Sequence, residues 1–186
     1  MDSIIAALPS GATCLGLYFS DVLDLAEKMR PGSDLTYLAG VPKRRYLPFL
    51  SYPYADILRL IAAAARALYP KLTLGEGMRR VGHSAYDRLF RTRVGAVVFG
   101  ALGRDPARVF LAGPRGYRLS INFGSVTAES AGFSRVIYRY REMPALLETY
   151  QVGVLEGALL HLGVDGSVLI DVFDLANADV EVSWTA

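Results

Sequence analysis

The sequence predicts an α+β protein: an N-terminal helical layer packed on a twisted antiparallel sheet, with an inserted glycine-containing helix and a C-terminal hairpin. Three observations carry this. In 135–141, Val136, Tyr138 and Tyr140 alternate with Ile137, Arg139 and Arg141, and in 167–174, Val168, Ile170 and Val172 alternate with Leu169, Asp171 and Phe173. Both are strand patterns. Between them Leu147, Tyr150, Val154, Ala158 and His161 recur at helical spacing, with Gly153 and Gly157 on a neighbouring stripe. A helix thinned in this way is expected, where it crosses the strand of Tyr138 and Tyr140, either to lie very close to it or to leave a cavity, and the aromatic surplus favours the cavity. The third observation is that helical periodicity dominates upstream of this region. The chain is read as one domain over 1–186, mainly helical in 12–112, with the sheet in 113–186 and its helix at 145–162.

The elements are taken in chain order. Residues 14–29 place Leu15, Tyr18, Phe19, Val22, Leu25, Ala26 and Met29 on an amphipathic helix that Pro31-Gly32 ends. Gly40, Pro42, Pro48 and Pro53, around the run Lys43-Arg44-Arg45, predict a long loop over 37–53 that is either functional or ordered by contacts. Tyr54, Ile57, Leu58, Ile61, Ala65 and Leu68 form an apolar helical stripe stopping at Pro70. Thr73 and Glu76 have capping-box spacing and open a helix over 74–90. The segment 93–102 is read as helix. Asp105-Pro106 is an N-cap with proline in the first turn, starting a short helix that Gly113-Pro114 closes. Tyr117, Leu119, Ile121 and Phe123 then alternate as a strand, and Gly124 and Gly132 punctuate two more.

Composition bounds the function. A chain of 186 residues buries roughly 70% of its unfolded surface, so it needs no disulfide or metal staple. With 52% hydrophobic and 20% charged residues it is a packed globular protein. No apolar run reaches the ~18 residues of a membrane span, since Arg59 and Arg66 interrupt 57–68. The start carries Asp2 and no basic segment, and Cys14 is the single cysteine, so a cytoplasmic location is expected. Charge is nearly balanced but uneven. Arg79, Arg80, Arg88, Arg91, Arg93, Arg104, Arg108, Arg115 and Arg118 face only Asp87 and Asp105 in their stretch, whereas beyond Gly163 there are acids and no Lys or Arg. The two halves are expected to attract each other, within one chain or across a dimer. Nucleic-acid binding is not expected.

Catalytic motifs are weak. His83 and His161 are the only histidines and neither sits with Cys, Asp or Glu at metal-ligand spacing. His83 reads as a surface or half-buried helical residue, and His161 as a helix C-terminal residue before Gly163. Cys14 reads as a small hydrophobe, with reactivity at a helix N-terminus as the alternative. Gly75-Glu76-Gly77 lacks the rest of a phosphate loop. The surplus is in aromatics, eleven Tyr and eight Phe, which either line a ligand cavity with polar tips or fill a core.

The succession of the 54–68 helix ending in ARALYP, then GMRRVGHSAYDRLF, GPRGYRLSINFG, YQVGVLEGALLHLGVDGSVLIDVF and ADVEVSW resembles a paralogous family of uncharacterised proteins known mainly from myxobacteria. Residues 150–184 are also similar to a wider superfamily of vinyl-4-reductase-type domains, haem nitric-oxide-binding domains and Bet3-like subunits of the Golgi tethering complex, through Gly153-Val154-Leu155-Glu156-Gly157 followed by a hairpin. The resemblance implies a helical layer on a twisted antiparallel sheet with an apolar pocket between them. It also implies what is missing. Haem domains of this kind carry a proximal histidine upstream of the proline matching Pro114, where the positions around Ala101 hold none. Their Tyr-x-Ser-x-Arg strand motif falls on Tyr140, Glu142 and Pro144, without the serine or the arginine. No haem or other cofactor is therefore expected. Bet3-like proteins can hold an acyl chain through a cysteine, for which Cys14 is the sole candidate.

The resulting expectation is a non-enzymatic module that binds or senses a small apolar ligand, with a protein-interaction adaptor of filled core as the alternative. The candidate ligand-binding residues are Tyr117, Arg118, Tyr138, Arg139, Tyr140, Tyr150, Gly153 and Gly157. Gly157→Leu is expected to block uptake without unfolding the domain. A homodimer or protein partner is expected too, because Val180, Val182 and Trp184 would form an apolar sheet edge in need of cover.

Overall fold

The computed structural model describes residues 1–86 and 102–185. The expected helix over 93–102 and the end of the 74–90 helix lie almost wholly outside the described residues. The helical part comprises α1 (Asp2–Ala6), α2 (Leu17–Met29), α3 (Leu35–Ala39), α4 (Tyr54–Leu68), α5 (Leu74–His83) and α6 (Pro106–Ser120), with short strands β1 (Thr13–Leu15) and β2 (Ser51–Pro53) paired antiparallel. Next come β3 (Ser125–Ser130), β4 (Arg135–Arg141), a π-helical turn (Leu147–Gln151), α7 (Val152–Leu162), β5 (Gly166–Val172) and β6 (Ala178–Trp184). The four long strands make one antiparallel sheet in the order β3-β4-β6-β5. The α+β class is as expected.

Helix α6 and helix α7 lie on the inner face of the sheet, α5 packs on α7, α4 on α5, and α2 and α3 on α4. That stacking makes α4 central. Besides the expected stripe, Leu60, Ala62, Ala63 and Ala64 are buried, which leaves Arg59 and Arg66 on a narrow exposed strip. On β4, Val136, Tyr138 and Tyr140 point inward, paired with Val182, Val180 and Ala178 of β6. The outer face carries the ions: Arg141 meets Asp179 at 2.7 Å, Arg139 bonds Glu129, and Arg135 lies 3.6 Å from Glu181. Two acids of the tail are thus paired by β4 arginines that lie outside the 79–118 basic stretch.

Helix starts obey the sequence rules. Thr73 and Glu76 form the full capping box, and Asp105 accepts from the backbone N–H of Ala107 at 2.9 Å. Four expectations are corrected. Cys14 sits on β1 rather than on the first helix, which begins at Leu17. The 37–53 loop begins inside α3 and ends in β2. Strand β6 is interior to the sheet, so Val180 and Val182 form no edge; the edges are β3 and β5.

The fourth correction is the largest: α6 does not stop at Gly113-Pro114 but runs to Ser120, so Tyr117 and Arg118 are helical, not on a strand. A proline inside a helix deprives the carbonyl four residues earlier of its donor. Here that carbonyl is Phe110, and the hydroxyl of Tyr138 donates to it from β4. Gly113 makes the room, since a Cβ there would strike the Tyr138 hydroxyl.

Candidate functional site

Helix α6 and β4 bring the predicted tyrosines together in the interior. Tyr117 from α6 donates to Gln151 Oε1 of the π-helical turn at 2.7 Å, and its hydroxyl lies 3.2 Å from that of Tyr140. Tyr138 and Tyr140 stack with centroids 6.2 Å apart, and Tyr117 meets Tyr140 edge-on. One turn further on α6, Ser120 shares a 2.6 Å bond with Tyr18 of α2. Tyr54 and Tyr150 complete the cluster, both buried. Burial holds these phenols un-ionised: Tyr18 is pushed up to about 12 against the opposing bond from Ser120, and Tyr54, Tyr117, Tyr138 and Tyr140 are likewise raised. The cluster is a hydrogen-bonded filling, with the phenols serving one another and the helix backbone.

Arg118, Arg139, Gly153 and Gly157 are not part of it. Arg118 is exposed on α6. Arg139 is on the outer face of the sheet with Glu129 and Asp179. The two glycines are buried, yet they face α5 and not the sheet: a Cβ on Gly153 would strike the carbonyl oxygen of Arg79, and one on Gly157 that of His83. The expected thinning is real; its partner is a helix. Cys14, buried beneath Tyr18 and Tyr54, has its thiol pushed up to about 12 by burial and by Asp56, which removes the thiolate at neutral pH.

The close crossing of α5 and α7 opens a concavity beside it. A groove of about 470 Å³ runs between α5, the C-terminal half of α7 and the start of β5. Leu159, Leu160, Val164 and Leu72 supply apolar surface; Glu76, Arg79, Arg80, His83, Glu156 and Asp165 supply charge. Its size suits a small molecule. Two of the three acids are committed, Asp165 being the exception. Glu76 caps α5 through Thr73, and Glu156 takes Arg79 Nε at 2.8 Å with a second bond from the same guanidinium. The Arg79 guanidinium holds the Glu156 carboxyl below its ordinary range, with His83 and Arg80 adding to the field. Among the described residues, Arg80 and His83 have no hydrogen-bond or ion-pair partner. None of the groove side chains was singled out from sequence as a binding residue; the available signal was the Arg79-Arg80 pair on a helix with His83 one turn later.

Residues 11–185 match the family described as "Protein of unknown function (DUF2378)". The chain belongs to this family. No curated protein matches it. Among solved structures, this DUF2378 chain is similar to an H-NOX protein from S. oneidensis in the Fe(II)NO ligation state, at 14% identity and TM-score 0.74, over 92% of this chain and 99% of that one. It is also similar to the Fe(II) unliganded H-NOX protein from K. algicida, at 11% identity and TM-score 0.69, over 92% and 97%. These are likenesses of fold, and they bear out the helical layer on an antiparallel sheet.

The fold raises the question of haem, and the residues do not fit it. Between α6 and the sheet the space is taken by Tyr117, Tyr138 and Tyr140, bonded to each other, to Gln151 and to the Phe110 carbonyl. The chain has two histidines. His83 lines the groove and His161 lies beside Tyr86, and neither belongs to the phenol layer.

Proposed function

We propose that this DUF2378 domain is a non-enzymatic binding and sensing module whose ligand is a small amphipathic anion held in the groove between α5, α7 and β5. One observation carries the reading: Arg80 and His83, which have no hydrogen-bond or ion-pair partner among the described residues and share only the field of Glu156, line the groove together with Leu159, Leu160 and Val164. An apolar body would cover the leucines while an anionic head meets the cations, and desolvation by that body strengthens the charge contact. The solved relatives by fold are described by the ligation state of their iron; what is carried over is ligand sensing alone. Relative to the sequence expectation, the site moves from the tyrosine interior to the helix crossing that Gly153 and Gly157 create.

Anilinonaphthalene sulfonate, an apolar body with one anionic group, is a direct probe. Fluorescence titration is expected to saturate at one site, and Arg80→Glu to weaken it about tenfold with unchanged thermal unfolding, the size of one lost charge contact. Titration that does not saturate, or that ignores Arg80→Glu, overturns the reading.

The adaptor reading, acting through a homodimer, has one observation in its favour. Strand β5 is a sheet edge, and Leu169 on it and Phe173 and Leu175 in the turn after it are exposed.

A further inference from the structure

The segment between α3 and β2 presents a surface of a different kind. From Leu35 to Pro53 it holds Lys43, Arg44 and Arg45 and no Asp or Glu. Beside those cations it exposes large apolar side chains: Phe49 is 69% and Leu50 53% accessible, Leu47 is exposed, and Tyr37 of α3 is 82% accessible. Such side chains are ordinarily withdrawn from water, and a floppy loop would tuck them in. This one is held open. Leu50 N–H bonds the Leu47 carbonyl at 3.1 Å, while the Leu50 and Pro48 carbonyls accept from Gly16 and Leu17 at the start of α2, at 2.8 and 3.2 Å. Leu47 N–H donates to the Tyr52 hydroxyl at 2.9 Å, and Tyr46 is buried in the stack with Phe19 at 4.3 Å. Gly16 lacks the Cβ that would collide with the Leu47 carbonyl. Arg44 lies over the Tyr46 and Tyr52 rings, and Lys43 bonds Asp34 at 2.7 Å, tying the loop to the start of α3.

We propose that this ordered loop docks the protein on an anionic lipid surface, with Phe49, Leu50 and Leu47 entering the headgroup boundary and Arg45 and Arg44 meeting the lipid phosphates and carboxylates. Charge complementarity names the occupant: Asp34 offsets Lys43, and Arg44 and Arg45, with no acid between Leu35 and Pro53, adjoin the apolar tip. A membrane interface is layered in the same order, anionic headgroups above acyl chains. The proposal is independent of the groove, which lies on α5 and α7.

Vesicle flotation tests it with the whole chain. The protein is expected to float with phosphatidylcholine vesicles containing phosphatidylserine, not with phosphatidylcholine alone, and to be released by high salt, because screening shortens the reach of surface charge. The double variant Phe49→Ser/Leu50→Ser is expected to lower the partition coefficient roughly tenfold or more through lost apolar insertion. Arg45→Glu is expected to lower it without changing binding of the sulfonate probe to the groove. Both variants change exposed side chains, so their thermal transitions should match the parent. Failure of the parent to float, or flotation unaffected by both variants, overturns the proposal. So does retention on an immobilised acidic polypeptide without flotation, which would make the loop a protein-docking surface.

Discussion

At the scale of single residues, Tyr138 shows how one hydroxyl decides an element. It lies two strand positions from Tyr140 and reads in sequence as one more aromatic on an inward face. In the fold it supplies the donor that Pro114 lacks and so keeps α6 helical across Gly113-Pro114. Tyr138→Phe keeps the ring but leaves the Phe110 carbonyl unserved in the core. The expected cost is about 1–3 kcal/mol in chemical denaturation, the range for an orphaned buried polar group. Tyr140→Phe is the comparison, since Tyr117 retains Gln151 and no carbonyl is stranded; a smaller loss, nearer ~1 kcal/mol, is expected. Equal losses for the two would show that Tyr138 does no more for α6 than fill space.

At the scale of elements, the approach to α7 illustrates how a local insertion shifts a pattern. The stripe Leu147, Tyr150, Val154, Ala158 and His161 assumes one continuous α-helix. The first turn is π-helical, entered through Leu146 at φ 50°, and the wider turn rotates the remainder of the helix about its axis. Val154 and His161 come out half-buried, whereas Gly153 and Gly157 turn onto α5. The same contact reverses the expectation for Gly157→Leu. A leucine there meets the His83 backbone, not an empty cavity, so α5 and α7 must separate. Gly153→Ala and Gly157→Ala are each expected to destabilise by roughly 1–3 kcal/mol, as overpacking does, and to weaken probe binding in the groove by distorting its walls. Thermal melts alongside the fluorescence titration check both; a Gly157→Ala variant as stable as the parent would contradict the backbone contact.

For the whole molecule, the phenol layer ties stability to alkaline pH. An unfolded tyrosine ionises near ~10. Tyr18, Tyr54, Tyr117, Tyr138 and Tyr140 are raised above that by burial, so the folded state keeps protons that the unfolded chain gives up. Their contribution is complete below about pH 10 and is lost as pH climbs from there towards the folded values. Phenolate absorbance is expected to show the buried set appearing in one cooperative step that coincides with loss of helical circular dichroism. A gradual titration of all the tyrosines with the helical signal intact would contradict the closed layer.

The α+β class, the helix starts at Thr73 and Asp105 and the inward faces of β4 and β5 were legible in the sequence, because caps and alternation depend on neighbours within a few residues. The surplus of tyrosine was legible as well, but whether it lined a cavity or filled a core was not. That question is answered by side chains from α2, α6, β4 and the π-helical turn meeting one another, and no spacing within one segment encodes their distances. The passage of α6 through Pro114, the face presented by Gly153 and Gly157, and the groove of Arg80 and His83 share this dependence. In each, a local rule was overridden or completed by a group from another element: the Tyr138 hydroxyl for Pro114, the α5 backbone for the glycines, and the leucines of α7 lining one groove with the α5 cations. Only tertiary contact could decide them.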